Sequence, residues 1–282
     1  MYPIVRKEVF SPVTFLWEVR DPDMAKAAKP GQFLMVRHKE TGERIPLTIA
    51  DFDMEQGTIT VVIQAVGKDT REMMEFKEGD SLLNFVGPLG IPSHVENFGT
   101  VVMVGGGLGV APIFPQLRAF KEAGNKTISI IGFRSRDLIF WEDKFRKYSD
   151  ELIITTDDGS FGEKGLVTNP LKRVLEEIKV DLVVAIGPLI MMKVCSDVTK
   201  PFGVKTIVSL NSIMVDGTGM CGSCRVTVGG EMKFACVDGP DFDGHQVDFD
   251  ELMMRQRRFE KFEKKSLELY EHECQLTKKH GI

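Results

Sequence analysis

Apolar and polar positions alternate in short runs over the first hundred residues, at 14–20, 32–37, 45–51, 58–66 and 80–85, with Pro and Gly between them. A period of two marks strands with one buried face, and runs at this spacing predict a small antiparallel barrel. After Gly99 the pattern changes. Apolar runs at 101–104, 128–133, 152–156, 182–186 and 206–209 alternate with helical segments, which predicts a doubly wound parallel sheet of the α/β class. From Asn211 the chain is rich in Gly and Cys, over a stretch too short for a third full core. A charged tail follows from Phe249, with a loose apolar stripe of Leu252, Phe259, Phe262, Leu269 and Leu276. That stripe suits a helix packed on another surface, either its own domain or a partner's. The expected domains are 1–98, 99–210 and a small module at 211–248, with a helical tail at 249–282.

Composition narrows the class. With 282 residues, net charge -5 and 43% hydrophobic content, the chain is long enough for two packed domains. Scattered Lys and Arg in a mildly acidic chain leave no footprint for nucleic acid. Charges at Arg6, Lys7 and Glu8 interrupt what would be the apolar core of a signal peptide, and no apolar run reaches membrane-span length. A cytoplasmic setting is expected. Five cysteines then point to metal or redox chemistry rather than to disulfides. Cys195, within an apolar helical segment, reads as a buried core thiol, and Cys274 in the tail as a surface one. The 14 methionines, including Met73-Met74 and Met191-Met192, read as adaptable core filling.

Several motifs carry candidate chemistry. The strand at 101–104 runs into Gly105-Gly106-Gly107-Leu-Gly109 and then a helix. Missing Cβ atoms let backbone N–H groups approach a pyrophosphate at a helix N-terminus, although a tight connection alone also uses such glycines. A later strand ends in Asp157-Asp158-Gly-Ser, where carboxylates repel a ribose 2′-phosphate and accept hydrogen bonds from a free diol; NAD is favoured over NADP, with a solvated turn as the plain alternative. Arg44-Ile45-Pro46-Leu47-Thr48 puts a cation and a hydroxyl on one strand, and Gly67-Lys-Asp69-Thr70 opens a helix with Asp69 or Thr70 as its cap. Asp216-Gly-Thr-Gly-Met-Cys221-Gly-Ser-Cys224, followed by Cys236, has the spacing of a metal site, an iron–sulfur cluster or a structural zinc.

In their order along the chain these motifs resemble the ferredoxin–NADP reductase superfamily, and residues 1–250 look like its iron–sulfur flavoprotein branch, which includes the electron-transfer subunit of dihydroorotate dehydrogenase. The resemblance implies that Arg44 pairs with an FAD pyrophosphate and that Thr48 sits by the flavin N5. Val62, Ile63, Gln64, Asp69 and Thr70 would line the FAD. Gly105, Gly106, Gly107 and Gly109 would cradle NAD, with Gly187 and Pro188 flanking the nicotinamide. Dihydroorotate-type subunits hold a 2Fe-2S cluster on four cysteines, the first of them four residues before the Cys-x-x-Cys pair; Asp216 stands in its place here, ahead of Cys221, Cys224 and Cys236. That replacement resembles the small-subunit family of NADH-dependent reduced ferredoxin:NADP oxidoreductases, called sulfide dehydrogenase β subunits in some relatives. Asp238 is a competing oxygen donor that follows Cys236 too closely to replace the missing early ligand. The resemblance implies a heterodimer with a larger FAD and 4Fe-4S subunit, bifurcating electrons between NADPH, ferredoxin and NAD. A dihydroorotate or sulfide dehydrogenase subunit, and a zinc-bearing binding module, are the alternatives.

Overall fold

The structure, a computed structural model, describes residues 2–280, with side chains as far as His272. Its first part comprises β1 (Tyr2–Ser11), β2 (Thr14–Arg20), α1 (Pro22–Ala27), β3 (Phe33–Arg37), β4 (Ile45–Thr48), β5 (Asp51–Asp53), β6 (Thr58–Gln64), α2 (Lys68–Glu75), β7 (Ser81–Leu82) and β8 (Asn84–Leu89). In place of one closed barrel there are two antiparallel sheets, ordered β5-β6-β2-β1-β7 and β4-β3-β8. Phe15, Trp17, Leu34, Leu47 and Ile63 fill the core between them. The expected single strand at 45–51 breaks because the chain changes sheets there. The Ile49 N–H bonds the Gln32 carbonyl beside β3, whereas the next N–H, of Ala50, bonds Thr60 on β6.

The second part comprises β9 (Thr100–Gly106), α3 (Val110–Glu122), β10 (Lys126–Phe133), α4 (Glu142–Tyr148), β11 (Glu151–Thr156), β12 (Glu163–Lys164), α5 (Thr168–Glu177), β13 (Leu182–Ile186), α6 (Leu189–Thr199) and β14 (Lys205–Ser209). These strands run parallel in the order β12-β11-β10-β9-β13-β14. Val101, Met103, Phe114 and Phe145 pack on the α3–α4 face, and Val102, Val104, Leu171 and Met192 on the α5–α6 face. Burial on both faces is why the sequence reads as continuous apolar runs. The chain leaves β9 on one side to build β10 to β12, then crosses to β13 on the other, so the order reverses at the C-terminal end of β9.

The remaining chain forms β15 (Arg225–Val228), β16 (Glu231–Phe234), β17 (Asp241–Asp243), α7 (Phe249–Gln256) and α8 (Glu260–His280). β17 pairs antiparallel with β14 and completes a seven-stranded sheet. Cys224, Val226, Ala235 and Cys236 share one core with Val183, Met192 and, from the antiparallel part, Phe33 and Met35. The tail's apolar stripe divides. Leu252 is buried in that core, while Phe259, Phe262 and Leu269 are exposed; Leu276 and Cys274 lie outside the described side chains. α8 runs beside α2, tied by an Arg71–Glu271 ion pair of 2.6 Å. Among the described residues no helix is long and apolar enough to cross a membrane.

Candidate functional site

On β4 the period of two divides the predicted motif into two faces. Ile45 and Leu47 turn into the antiparallel core, which leaves Arg44, Pro46 and Thr48 on the opposite face. Arg44 is exposed and has no side-chain partner among the described residues, and the Thr48 hydroxyl is likewise free. β6 packs beside β4. Its Val62 joins the core shared with the parallel sheet, and Gln64 is exposed on the same face; Ile63 points into the antiparallel core, so only its backbone can meet a ligand. The cap of α2 differs from expectation. Gly67 is the N-cap, and Thr70, three residues on, accepts hydrogen bonds from the Val66 and Gly67 N–H groups at 3.1 and 3.0 Å. Asp69 is buried and accepts the Glu43 N–H at 3.1 Å. No side chain caps the helix, so its first-turn N–H groups remain available to an anion. An unpaired guanidinium beside an uncapped helix start fits a pyrophosphate.

The glycine turn lies at the reversal of strand order, where open α/β sheets bind ligands. Its glycines have separate reasons. A Cβ on Gly109 would lie 2.2 Å from the Ile186 carbonyl oxygen, so this one secures helix–strand packing. A Cβ on Gly106 would meet the Met191 sulfur at 2.3 Å, and Gly105 packs on Val110. Gly107 is different: its φ is +55°, it is exposed, and nothing stands within 4 Å of where a Cβ would be. The turn abuts β6, and within it Gly109 lies against Gly187 and Gly106 against Pro188. Asp157 and Asp158 are exposed at the end of β11. Asp158 accepts bonds from the Ser160 hydroxyl and N–H at 2.6 and 2.9 Å, which hold its carboxyl below the usual range. It makes the turn, and Asp157 has no side-chain partner among the described residues.

In the cysteine loop the Cys224 and Cys236 sulfurs are buried and 3.2 Å apart. Two thiolates on one tetrahedral metal, at metal–sulfur distances of about 2.3 Å, sit about 3.8 Å apart. Burial followed by the neighbouring thiol pushes Cys236 upward in pKa, so the ionised pair needs a cation. Cys221 is exposed, and its N–H donates to Asp216 at 2.7 Å; the Thr218 N–H takes the other Asp216 oxygen at 2.7 Å. Cys224 and Cys236 thus form a thiol pair, whereas Asp216 meets Cys221 through its backbone N–H and the Cys221 sulfur lies 3.0 Å from the Ser223 hydroxyl. Asp238 accepts the Phe234 N–H at 2.6 Å. Gly217, at φ +77°, lies against Met35, where a Cβ would be 2.8 Å from the side chain. Met35 pairs with Pro46, so one strand separates this loop from β4. Cys195 is fully buried, and desolvation pushes its pKa up to about 12, as suits an inert core thiol.

Sequence reasoning missed Asp51, which accepts hydrogen bonds from Arg118 of α3 and Lys144 of α4 at 2.7 and 3.2 Å and so fixes the antiparallel part against the parallel sheet. Nothing in its local pattern marks it. His38 was also missed, although a histidine ahead of a charged turn offered a signal.

Residues 211–248 match the iron–sulfur cluster binding domain of dihydroorotate dehydrogenase B. A homologue of the dihydroorotate dehydrogenase B (NAD(+)) electron transfer subunit from Thermotoga maritima is 49% identical, covering 95% of this chain and 94% of that protein. The electron transfer subunit itself from Fusobacterium nucleatum is 30% identical, over 84% and 93%. A chain of the NADH-dependent reduced ferredoxin-NADP oxidoreductase structure, reported for insight into flavin-based electron bifurcation, superposes with a TM-score of 0.91 at 48% identity, covering 96% and 98%.

Proposed function

The chain belongs to the family of dihydroorotate dehydrogenase B electron transfer subunits and their homologues, and on that premise we propose that it binds FAD, NAD(H) and a 2Fe-2S cluster and carries electrons between NAD(H) and a larger partner subunit. The observation that carries this reading is the meeting of β6 with the Gly107–Gly109 turn, with β4 beside β6 and only β3 between β4 and the cysteine loop. Residues 1–98 would form the flavin domain, 99–210 the nucleotide domain, 211–248 the cluster module and 249–282 the tail.

Bound there, FAD and NAD(H) would supply hydride exchange and the 2Fe-2S cluster one-electron transfer. Arg44 and the α2 N-terminus, with the Asp69 and Thr70 N–H groups, neutralise the FAD pyrophosphate. Thr48 offers its hydroxyl at the flavin edge, Pro46, Val62 and Gln64 wall the site with their side chains, and Ile45, Leu47 and Ile63 contribute their backbone alone. Gly105, Gly106, Gly107 and Gly109 admit the NAD pyrophosphate, Gly187 and Pro188 flank its nicotinamide, and Asp157 and Asp158 form the ribose end. Asp216, Cys221, Cys224 and Cys236 hold the cluster. A cytoplasmic setting, where thiols are kept reduced, suits a cluster held on cysteines.

For the partner we favour a larger FAD and 4Fe-4S subunit, making a bifurcating heterodimer that acts on ferredoxin and NADP(H). The 48% identity over nearly the whole of both chains supports this, as does Asp216 in the slot of the missing cysteine. A dihydroorotate dehydrogenase partner is the second reading, favoured by the names of the relatives. Cofactor analysis of the purified chain tests the core of the proposal: flavin and iron in a ratio of one to two are expected, and zinc without flavin would overturn it.

A further inference from the structure

Beside the flavin strand lies a buried group that the proposed chemistry does not use. His38 follows β3 with its side chain fully enclosed. Gly42 closes one side of the ring, since a Cβ there would be 2.7 Å from the imidazole Cε1, and Phe76 meets it edge-on with centroids 5.8 Å apart. The two ring nitrogens face two carboxylates of α2. Nε2 is 3.0 Å from Glu72, whereas Nδ1 lies 3.7 Å from Asp69 and has no hydrogen-bond partner. One ring nitrogen and one oxygen from each carboxylate lie within 4.8 Å of one another, but the Glu72 oxygen already pairs with a cation and the Asp69 oxygen already accepts a backbone N–H. Lys39 also pairs with Glu72, at 2.6 Å. Burial opposes ionisation of Glu72, but the bonds from Lys39 and His38 hold it below its ordinary value, so that side of the ring faces a charged group. On the other side Asp69 accepts the N–H of Glu43, the residue before Arg44. Glu43 is itself raised, by burial first and then by Asp69 and by Glu263 of α8.

The geometry points to His38 as a protonation-dependent clamp that positions the pyrophosphate-binding groups of the flavin site. Charged, the imidazolium donates to Glu72 and attracts the Asp69 carboxylate across 3.7 Å, drawing the first turns of α2 toward the end of β3. Through Asp69 it also sets the segment that carries Arg44. Neutral, with the proton on Nε2 facing Glu72, the ring turns a lone pair toward the Asp69 carboxylate, and the attraction becomes a repulsion. His38 is a positioning residue; it acts through α2 and the 43–44 backbone. This inference rests on the placement of FAD at Arg44 and the α2 N-terminus.

Release of FAD from the purified full chain, followed by flavin fluorescence, tests it. The unmodified protein should release FAD about tenfold faster at about pH 8.5 than at about pH 6, as the attraction between the ring and Asp69 gives way to repulsion. His38→Gln should release it fast at both pH values, without the pH response. Asp69→Asn, which keeps an acceptor for the Glu43 N–H, should also flatten the response, and it stands as the test if His38→Gln does not fold. A pH response unchanged in either variant, or absent from the unmodified protein, overturns the clamp. Arg44→Ala separates the two layers. Fast FAD loss from Arg44→Ala beside an unaltered His38→Gln sinks the clamp alone, whereas full retention by Arg44→Ala sinks the flavin placement and the clamp with it.

Discussion

The two aspartates at the end of β11 are neighbours in sequence and have different work. Asp158 is tied to Ser160 and closes the turn, whereas Asp157, at the expected ribose end, has no side-chain partner among the described residues. Nucleotide choice should therefore rest on Asp157. Removing an exposed carboxylate from beside a 2′-phosphate is worth roughly 1 to 2 kcal/mol, so Asp157→Ser should narrow the preference for NADH over NADPH roughly five- to thirtyfold. Asp158→Ser should loosen the turn and leave the preference nearly unchanged. Rates of flavin reduction by the two nucleotides measure both, and a larger loss of preference from Asp158→Ser would reverse the assignment. The residue scale also shows what the sequence could not decide. Asp69 and Thr70 were legible as part of a helix start, but the cap fell to Gly67, because Thr70 reaches back to the N–H groups ahead of the helix.

At the scale of elements, the glycine turn was legible because a buried strand, a glycine run and a helix follow one another, but the separate reason for each glycine was not. Gly109→Ala would drive a methyl group into the Ile186 carbonyl, so it should cost about 2–4 kcal/mol and lower the unfolding temperature. Gly107→Ala meets open space and should cost only the left-handed backbone penalty of about 1–2 kcal/mol. Thermal unfolding of the two variants ranks them, and equal losses would contradict the packing role of Gly109. Strands buried on both faces were read correctly because their apolar runs are continuous. β1 escaped notice for a physical reason: register shifts between Ile4 and Arg6 and between Val9 and Ser11 disrupt its period of two. β17 escaped because Asp241-Phe-Asp243 has little strand propensity, and only pairing with β14 makes it a strand.

The whole molecule is held together at places distant in sequence. Asp51 joins β5 to α3 and α4, and the Ser93 hydroxyl donates to Asp241 of β17 at 2.5 Å, tying the linker after β8 to the cysteine-bearing part. Burial pushes the Asp241 carboxyl up to about 6, from an ordinary 3.8. Its protonated form is thus the one the folded state prefers. Stability from this group is complete below about pH 4 and is lost as pH rises toward about 6, by up to about 3 kcal/mol. Relative to the parent, Asp241→Asn should look more stable at neutral pH than at about pH 4, and denaturant unfolding at both values should show that difference. A pH-independent difference would mean that Asp241 ionises normally.

The central claim, that one chain joins NAD(H) to a cluster through a flavin, is tested most directly by anaerobic titration of the purified chain with NADH, recording flavin absorbance and electron paramagnetic resonance on the same samples. The arrangement of β4, β6, the glycine turn and the cysteine loop predicts that the flavin band bleaches and that the signal of a reduced 2Fe-2S cluster grows with it. Bleaching with no cluster signal at any point of the titration, or a chain that binds no flavin, would contradict it.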